Sequence, residues 1–240
     1  MEHSFSWVQI IPGFNLLPEH TATATLVMLA LVGWALVALR QLRAANDPVV
    51  PDDKLSARNL MEMFVDLFNA HIVAPLMGHR GQKYVPLYGT FFLFILASNF
   101  CGLLPGFAPP TSNFNVTFAL GVISLVAYTY YGFAARGVGY LKHFVGPIWW
   151  LAFLMIPLEI IDNLVRPVSL ALRLFGNMTG DHVVLEIFTD LTKMVVPVLF
   201  YVLGAMVSVI QAFVFTLLSV IYLSLATAHH DAHDEPHHAH

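Results

Sequence analysis

Two arginines, Arg166 and Arg173, lie seven residues apart in the stretch RPVSLALRLFGNM, among leucine, valine and phenylalanine. An arginine at the centre of a bilayer costs about 2.5–3.5 kcal/mol on insertion scales. Its guanidinium cannot shed the charge by losing a proton. It needs water, an acid or a partner protein. Arg166 has Asp162 four residues before it, the helical spacing for an ion pair, and reads as a structural or interfacial residue. Arg173 has only the neutral Ser169 and Asn177 at that spacing. Residues 84–135 and 194–228 contain no Asp or Glu. The acid that answers Arg173 is therefore expected from another subunit, one that carries a carboxylate inside the membrane.

The same region holds groups that could move a proton. His182 and Glu186 are four residues apart. A histidine, with a free pKa of about 6.5, beside a carboxylate can act as a proton relay; it can equally form an ordinary ion pair near the outer interface. His182 follows Arg173 by nine residues, about 900° around a helix, so the two belong on opposite faces. Glu159, Arg166 and Arg173 repeat every seven residues, and each drifts only about 20° from the last. Gln211 stands in a charge-free segment with Ser208 one turn before it. Its amide is expected to bond a neighbouring helix, with Arg173 or Asn177 as the partner.

These residues need helices that cross a membrane. Of the 240 residues 58% are hydrophobic and only 11% charged, and mean hydropathy is +0.71; soluble domains carry about 25% charge. The expected class is an all-α integral membrane protein with about five membrane helices and one amphipathic surface helix. The expected divisions are an external N-terminal segment (1–20), a first span (21–43), an amphipathic cytoplasmic-surface helix (54–79), further spans at 84–105 and 113–136, a tilted helical hairpin (147–228) and a histidine-rich tail (229–240). In the surface helix Leu60, Met61, Phe64, Leu67, Phe68 and Ile72 recur at helical spacing. The uncharged run 194–228 is about 50 Å long as a helix, against a hydrocarbon core of roughly 30 Å. It must tilt, bend near Gly204 or protrude. Pro167 should loosen the helix just before Arg173.

Orientation follows from the basic residues. Arg40, Arg43, Lys54, Arg58, Arg80 and Lys83 fall between two spans, and the first 20 residues contain no Lys or Arg. The positive-inside rule puts the N-terminus outside and the 40–83 region in the cytoplasm. The loop with Arg136 and Lys142 then lies inside, the hairpin turn near Lys193 outside, and the C-terminus inside. A net charge of −4 gives no nucleic-acid signal, and the one cysteine, Cys101, allows no internal disulfide or CxxC site.

RPVSLALRLFGNM, followed by IQAFVFTLLSVIYLSLA, resembles the a subunit of the ATP synthase membrane sector, and SNFCGLLPG and TSNFNVTFAL resemble that family's middle helices. The resemblance covers roughly residues 25–228 and looks bacterial, which implies a multi-pass protein of the inner membrane. It implies a stator with two offset aqueous half-channels, whose last two helices form a long tilted hairpin against a ring of c subunits. The b-subunit peripheral stalk, the other synthase subunits and membrane lipid are the further partners. The family's essential arginine matches Arg173, which keeps the ring carboxylate ionised and blocks a direct leak. Ser169, Asn177 and Gln211 match the polar residues near it, Glu159 the cytoplasmic half-channel acid, and His182 the outer ionisable position. Where the family often carries a second ionisable residue, this chain has Gly204; Glu186, and less strongly Asp181, are the expected substitutes.

No cofactor or metal is expected, and the chain contains no GxxxxGK[ST] nucleotide motif, so catalysis belongs to another part of the complex. The rival reading is a secondary transporter with its own midplane site. That class tends to show internal repeats and helices broken by Gly or Pro in both halves, whereas here no repeat is visible and the intramembrane charges cluster in the second half. A structural membrane anchor would leave Arg173 without a purpose.

Overall fold

A computed structural model of the chain describes residues 18–44, 56–104, 106–137, 152–192 and 195–227. The expectations for most of the 1–20 segment, the loop at 46–53, Pro105, the loop bearing Lys142, the hairpin start at 147–151, the turn at Lys193 and the 229–240 tail fall outside these residues. All regular structure among the described residues is helical. Lipid offers backbone groups no hydrogen bonds, so a helix, which satisfies its own, is the economical answer for an apolar chain.

The first helix, α1 (Glu19–Ala44), is followed by α2 (Ala57–Phe68), capped by Ser56, whose hydroxyl accepts from the Asn59 N–H. A π-helical turn (Asn69–Val73), a short α3 (Ala74–Met77) and a 3₁₀ stretch (Gly78–Tyr84) lead without a gap into α4 (Val85–Gly102). Gly78 turns the chain between α3 and the 3₁₀ stretch at φ +56°, where a side chain would be strained. A 3₁₀ turn (Pro110–Ser112) precedes α5 (Phe114–Arg136), which Asn113 caps by accepting from the Asn115 N–H at 2.9 Å. Two long helices close the described structure: α6 (Ala152–Leu191) and α7 (Val195–Thr227).

Among the described residues four stretches are long and apolar enough to cross a membrane: Glu19–Ala44, Ala57–Gly102, Phe114–Ala135 and Pro197–Thr227. Helix α6 is not among them, because seven charged residues from Glu159 to Asp190 interrupt its 40 residues. At 1.5 Å per residue it is about 60 Å long. It continues through both Pro157 and Pro167. The expected loosening at Pro167 does not break it. Pro167 is buried, and α6 packs closely along α5 and α7; neighbouring helices are what make proline tolerable inside a membrane helix. Helix α7 likewise runs unbroken past Gly204.

Helix α2 is amphipathic, and its apolar face is only partly covered within the chain. Phe68 and Ile72 are buried, while Leu60 and Leu67 are exposed. In the π turn that follows, both Ile72 and Val73 are buried, as its wider spacing allows. Phe64, Phe68 and Phe92 form a ring cluster that docks α2 on α4, with centroids 5.7–6.0 Å apart. The Arg58 N–H donates to Gln41 of α1 at 2.9 Å, and its guanidinium pairs with Glu62 at 2.6 Å. Helices α1, α2 and α4 border an apolar cavity of about 580 Å³.

The core lies where α4, α5, α6 and α7 meet. It includes Tyr88 and Ile95 of α4, Tyr128 of α5, Leu174 of α6 and Phe215 of α7. Ser124 of α5 and Ser219 of α7 bond at 3.0 Å within it. Many large apolar side chains face outward instead, such as Leu29 and Leu36 on α1 and Val202, Met206 and Ile210 on α7, as befits helices solvated by lipid. Between helices in lipid the attraction is close packing rather than water exclusion. One close approach of helix backbones is at Gly121 of α5, where a Cβ would stand 2.6 Å from the Pro167 carbonyl oxygen. Gly121→Ala should therefore destabilise the protein: overpacking costs about 1–3 kcal/mol, which outweighs a helix-propensity gain of up to about 1 kcal/mol. A lower melting temperature of the detergent-solubilised complex checks this; an unchanged or higher one would show that the two helices can part freely.

Candidate functional site

Helix α6 carries two polar clusters and one isolated cation. The first cluster lies near its start. Arg166 pairs with Asp162 and holds its guanidinium over the Tyr222 ring of α7, 5.0 Å from the centroid. A cation above an aromatic face gains further from the ring quadrupole. One turn earlier, the Tyr128 hydroxyl of α5 donates to Asn163 Oδ1 at 3.2 Å, and Asn163 Nδ2 donates to the Glu159 carbonyl at 3.0 Å. Arg166 is thus tied both along its own helix and across to α7, and Glu159 stands partly buried at the edge of the same group.

Arg173 is placed otherwise. Leu170, Ala171, Leu174 and Met178 are buried against the bundle. Ser169, Arg173, Gly176, Asn177 and Gly180 point away from it and are exposed. Among the described residues Arg173 makes no ion pair and no hydrogen bond. A Cβ added at Gly176 or Gly180 would meet nothing within 4 Å. The arginine therefore sits on an open face flanked by small residues, the surface that lets another membrane helix approach closely.

Asn177, one turn beyond Arg173, ties this face to α7. Its Nδ2 donates to Gln211 Oε1 at 2.7 Å. Of the two partners expected for Gln211, Arg173 or Asn177, the structure selects Asn177. Gln211 is only 3% exposed, and its Nε2 is left buried without a partner.

His182 lies on the opposite side, turned inward. Its Nε2 stands 3.1 Å from where a Cβ on Gly102 would be, so a side chain at Gly102 would press on the imidazole. His182, Asp181, Gly204 and Ser208 border a small cavity of about 20 Å³ between α4, α6 and α7. Glu186 is exposed, and no ion pair joins it to His182. The direct His182–Glu186 ion pair that the spacing permits is not formed: the imidazole turns toward α4 and α7, while the carboxylate one turn on faces out.

The polar environment extends past the residues that the sequence had pointed to. Asn99 of α4 is fully buried; it accepts from the Thr111 hydroxyl at 2.8 Å and reaches the Ser208 carbonyl of α7 at 3.5 Å. Asn99 lies within an otherwise apolar span, and a buried amide there signals a helix–helix contact. Tyr128, Asn163 and Tyr222 had no such signal, because tyrosine is ordinary near membrane interfaces and their proximity depends on how α5, α6 and α7 pack. Among the described residues the arrangement offers an unpaired cation on one face of α6 and titratable groups on the other. It can bind an anion outside the chain and pass protons within it.

Residues 21–224 match the family model described as ATP synthase A chain. ATP synthase subunit a of Bdellovibrio bacteriovorus is 41% identical over 227 residues, covering 94% of this chain and 99% of the relative. ATP synthase subunit a of Trichlorobacter lovleyi is 46% identical over 209 residues, 86% of each chain. That of Geobacter sulfurreducens is 45% identical over 206 residues, 85% of this chain and 86% of the relative.

The Asn177–Gln211 bond should register as coupling. Interhelical hydrogen bonds in membranes are worth about 0.6 kcal/mol on average and up to about 1.7. Asn177→Ala and Gln211→Ala should each lower the thermal resistance of the solubilised complex, and the double variant should lose less than their sum by about that amount. Strictly additive losses would show that the contact carries no energy.

Proposed function

Because the chain belongs to the ATP synthase A chain family, we propose that it is the proton-translocating stator subunit of a rotary ATP synthase, with Arg173 facing a ring of c subunits. It is a membrane-sector subunit and not catalytic alone. The observation that carries the finer reading is that Arg173 is exposed and unpaired among the described residues, while the other arginine of α6 is held by Asp162 and the Tyr222 ring.

A carboxylate on a rotor helix that faces lipid holds its proton, because a low dielectric disfavours the charged form. Brought beside Arg173 it ionises, because a nearby guanidinium favours the anion. The rotor site thus releases its proton at the stator and takes another before re-entering lipid. Gly176 and Gly180 leave room for the rotor helix. The bond from Asn177 to Gln211 holds α6 and α7 in register beside the arginine, and Ser169 adds a hydroxyl one turn earlier on the same exposed face.

Two offset half-channels complete the proposal. Glu159, partly buried near the start of α6, serves the cytoplasmic one. His182 and Glu186 serve the outer one, with Glu186 toward the mouth because it is exposed. Arg166 and Asp162 are structural. Helix α7 is about 50 Å long, well beyond a core of roughly 30 Å, which favours a tilted α6–α7 hairpin along the ring. The b-subunit stalk and the remaining synthase subunits hold this stator in place. The basic residues between 40 and 83 support an orientation with that region and the C-terminus in the cytoplasm and the N-terminus outside, in a bacterial inner membrane. Each charge moved through 100 mV carries about 2.3 kcal/mol, so several transfers accumulate for each ATP.

In inverted membrane vesicles, Arg173→Ala should abolish ATP-driven proton pumping, followed by quenching of a pH-sensitive dye, while immunoblots show an assembled complex. Near-normal pumping would refute the central role of Arg173. Glu186→Gln should slow pumping by about two- to fivefold, as expected when one of several polar groups along an intramembrane proton path is neutralised; an unchanged rate would remove Glu186 from that path.

A further inference from the structure

The cavity bordered by α1, α2 and α4 takes no part in the role proposed above. At about 580 Å³ it falls within the roughly 300–1,000 Å³ of typical ligand pockets. Val32, Val65 and Thr90 on its border are exposed, so it opens sideways as a groove. Along α4 the border runs from Val85 to Phe94. At 1.5 Å per residue that is about 14 Å, close to half of a hydrocarbon core of roughly 30 Å. The groove therefore spans about one leaflet. Most of its wall is apolar, and three polar side chains, Asp66, Asn69 and Gln82, gather at one end. The π turn that begins at Asn69 packs on the 3₁₀ stretch that holds Gln82. Arg80 and Lys83 lie in the same stretch, and such long basic side chains near helix ends mark the membrane boundary.

The charge at that end selects the ligand. Asp66 is exposed and makes no ion pair among the described residues. Asn69 Oδ1 is buried and has no hydrogen-bond partner. Both groups are acceptors, and a buried acceptor left unpaired is costly. Among the described residues no Lys or Arg borders the groove. An anionic head group would be repelled by Asp66, and a quaternary ammonium has no N–H to give. A primary ammonium has three. It can meet both acceptors at once, and its bond to a carboxylate is of the strong, charge-assisted kind. The Gln82 amide can donate as well as accept, which suits the phosphate of such a head group. We propose that this groove binds a diacyl phospholipid with a primary-ammonium head group, of the phosphatidylethanolamine class. The ammonium lies at Asp66 and Asn69, the phosphate toward Gln82, and an acyl chain against Phe94 at the far end. Binding requires only that the chain lie in a membrane; the leaflet follows from the orientation given above.

The test uses the assembled synthase in phosphatidylcholine vesicles that contain a trace of phosphatidylethanolamine or of phosphatidylglycerol, each with a photoreactive group on one acyl chain. Labelled residues are mapped by mass spectrometry. The ethanolamine lipid should label α4 near Phe94 and the facing part of α1 near Met28, both on the groove's border. Excess unlabelled phosphatidylethanolamine should compete this labelling away, and phosphatidylglycerol should not. Asp66→Lys should lower labelling by the ethanolamine lipid about tenfold or more, as expected for losing a hydrogen bond to a charged group, and should raise labelling by the glycerol lipid. That exchange separates head-group recognition from a structural role of Asp66, since damage to the fold would weaken both. If Asp66→Lys does not assemble, Asp66→Asn decides: weaker ethanolamine labelling supports the site, and unchanged labelling overturns it. Equal labelling of the wild-type groove by both lipids would overturn the proposal by making it a resting place for bulk lipid. Labelling by neither would overturn it as well, and is the result expected if a helix of another subunit fills the groove.

Discussion

A permanent positive charge in a medium of low dielectric is the constraint around which this protein is organised. A guanidinium cannot be neutralised by losing its proton, so it must be compensated by position. The two arginines of α6 meet the same demand by different means. Arg166 is compensated inside the chain, by Asp162 along the helix and by the Tyr222 ring across it. Arg173 turns outward with small and neutral neighbours and no answering acid among the described residues. The first is a strut of the fold. The second is a half-made interaction, and the proposed rotor carboxylate is its other half.

The rest of the bundle supports that difference. Helix α6 is too polar to stand alone in lipid, and α5 and α7 flank it with hydroxyls and amides where it is polar and with close packing where it is not. Tyr128 and Tyr222 serve its first turns, Gln211 the middle, and Ser208 the turns near His182. Gly121 lets α5 come close enough at Pro167 for this to work. Helix α4 contributes Asn99, which reaches the α7 backbone and receives Thr111 from the turn that follows α4. Many polar groups inside the membrane are thus satisfied by neighbouring helices, while Gln211 Nε2 and the polar atoms of Asp181, His182 and Ser208 at the cavity beside Gly204 are among those left over.

Much of this was legible in the sequence, for definite physical reasons. Uncharged runs with basic ends mark the helices, because hydrocarbon tolerates few other patterns. The separation of Arg166 from Arg173 follows from counting four residues either way, since helical neighbours are fixed by local geometry. The nine-residue step from Arg173 to His182 puts them on opposite faces for the same reason. What stayed hidden depends on packing between helices. The contact expected between His182 and Glu186 is permitted by spacing, but the imidazole turns to α4 and α7, which spacing cannot reveal. The continuity of α6 through Pro167 depends on its neighbours. The roles of Asn99, Asn163 and Tyr222 depend on which helices touch.

The opposition of Arg173 and His182 on one continuous helix has an electrical consequence. A helix with its side chains is about 10–12 Å thick, and its backbone donors and acceptors are bonded to one another, so it offers a proton no through-path. In the proposed reading α6 is the partition between two reservoirs as well as the carrier of the groups that serve them. A proton that reaches His182 stands behind that partition from Arg173, and it crosses only by boarding something that travels around the wall. Insulation and conduction are then properties of the same forty residues, and the membrane voltage is held across a single cylinder of peptide.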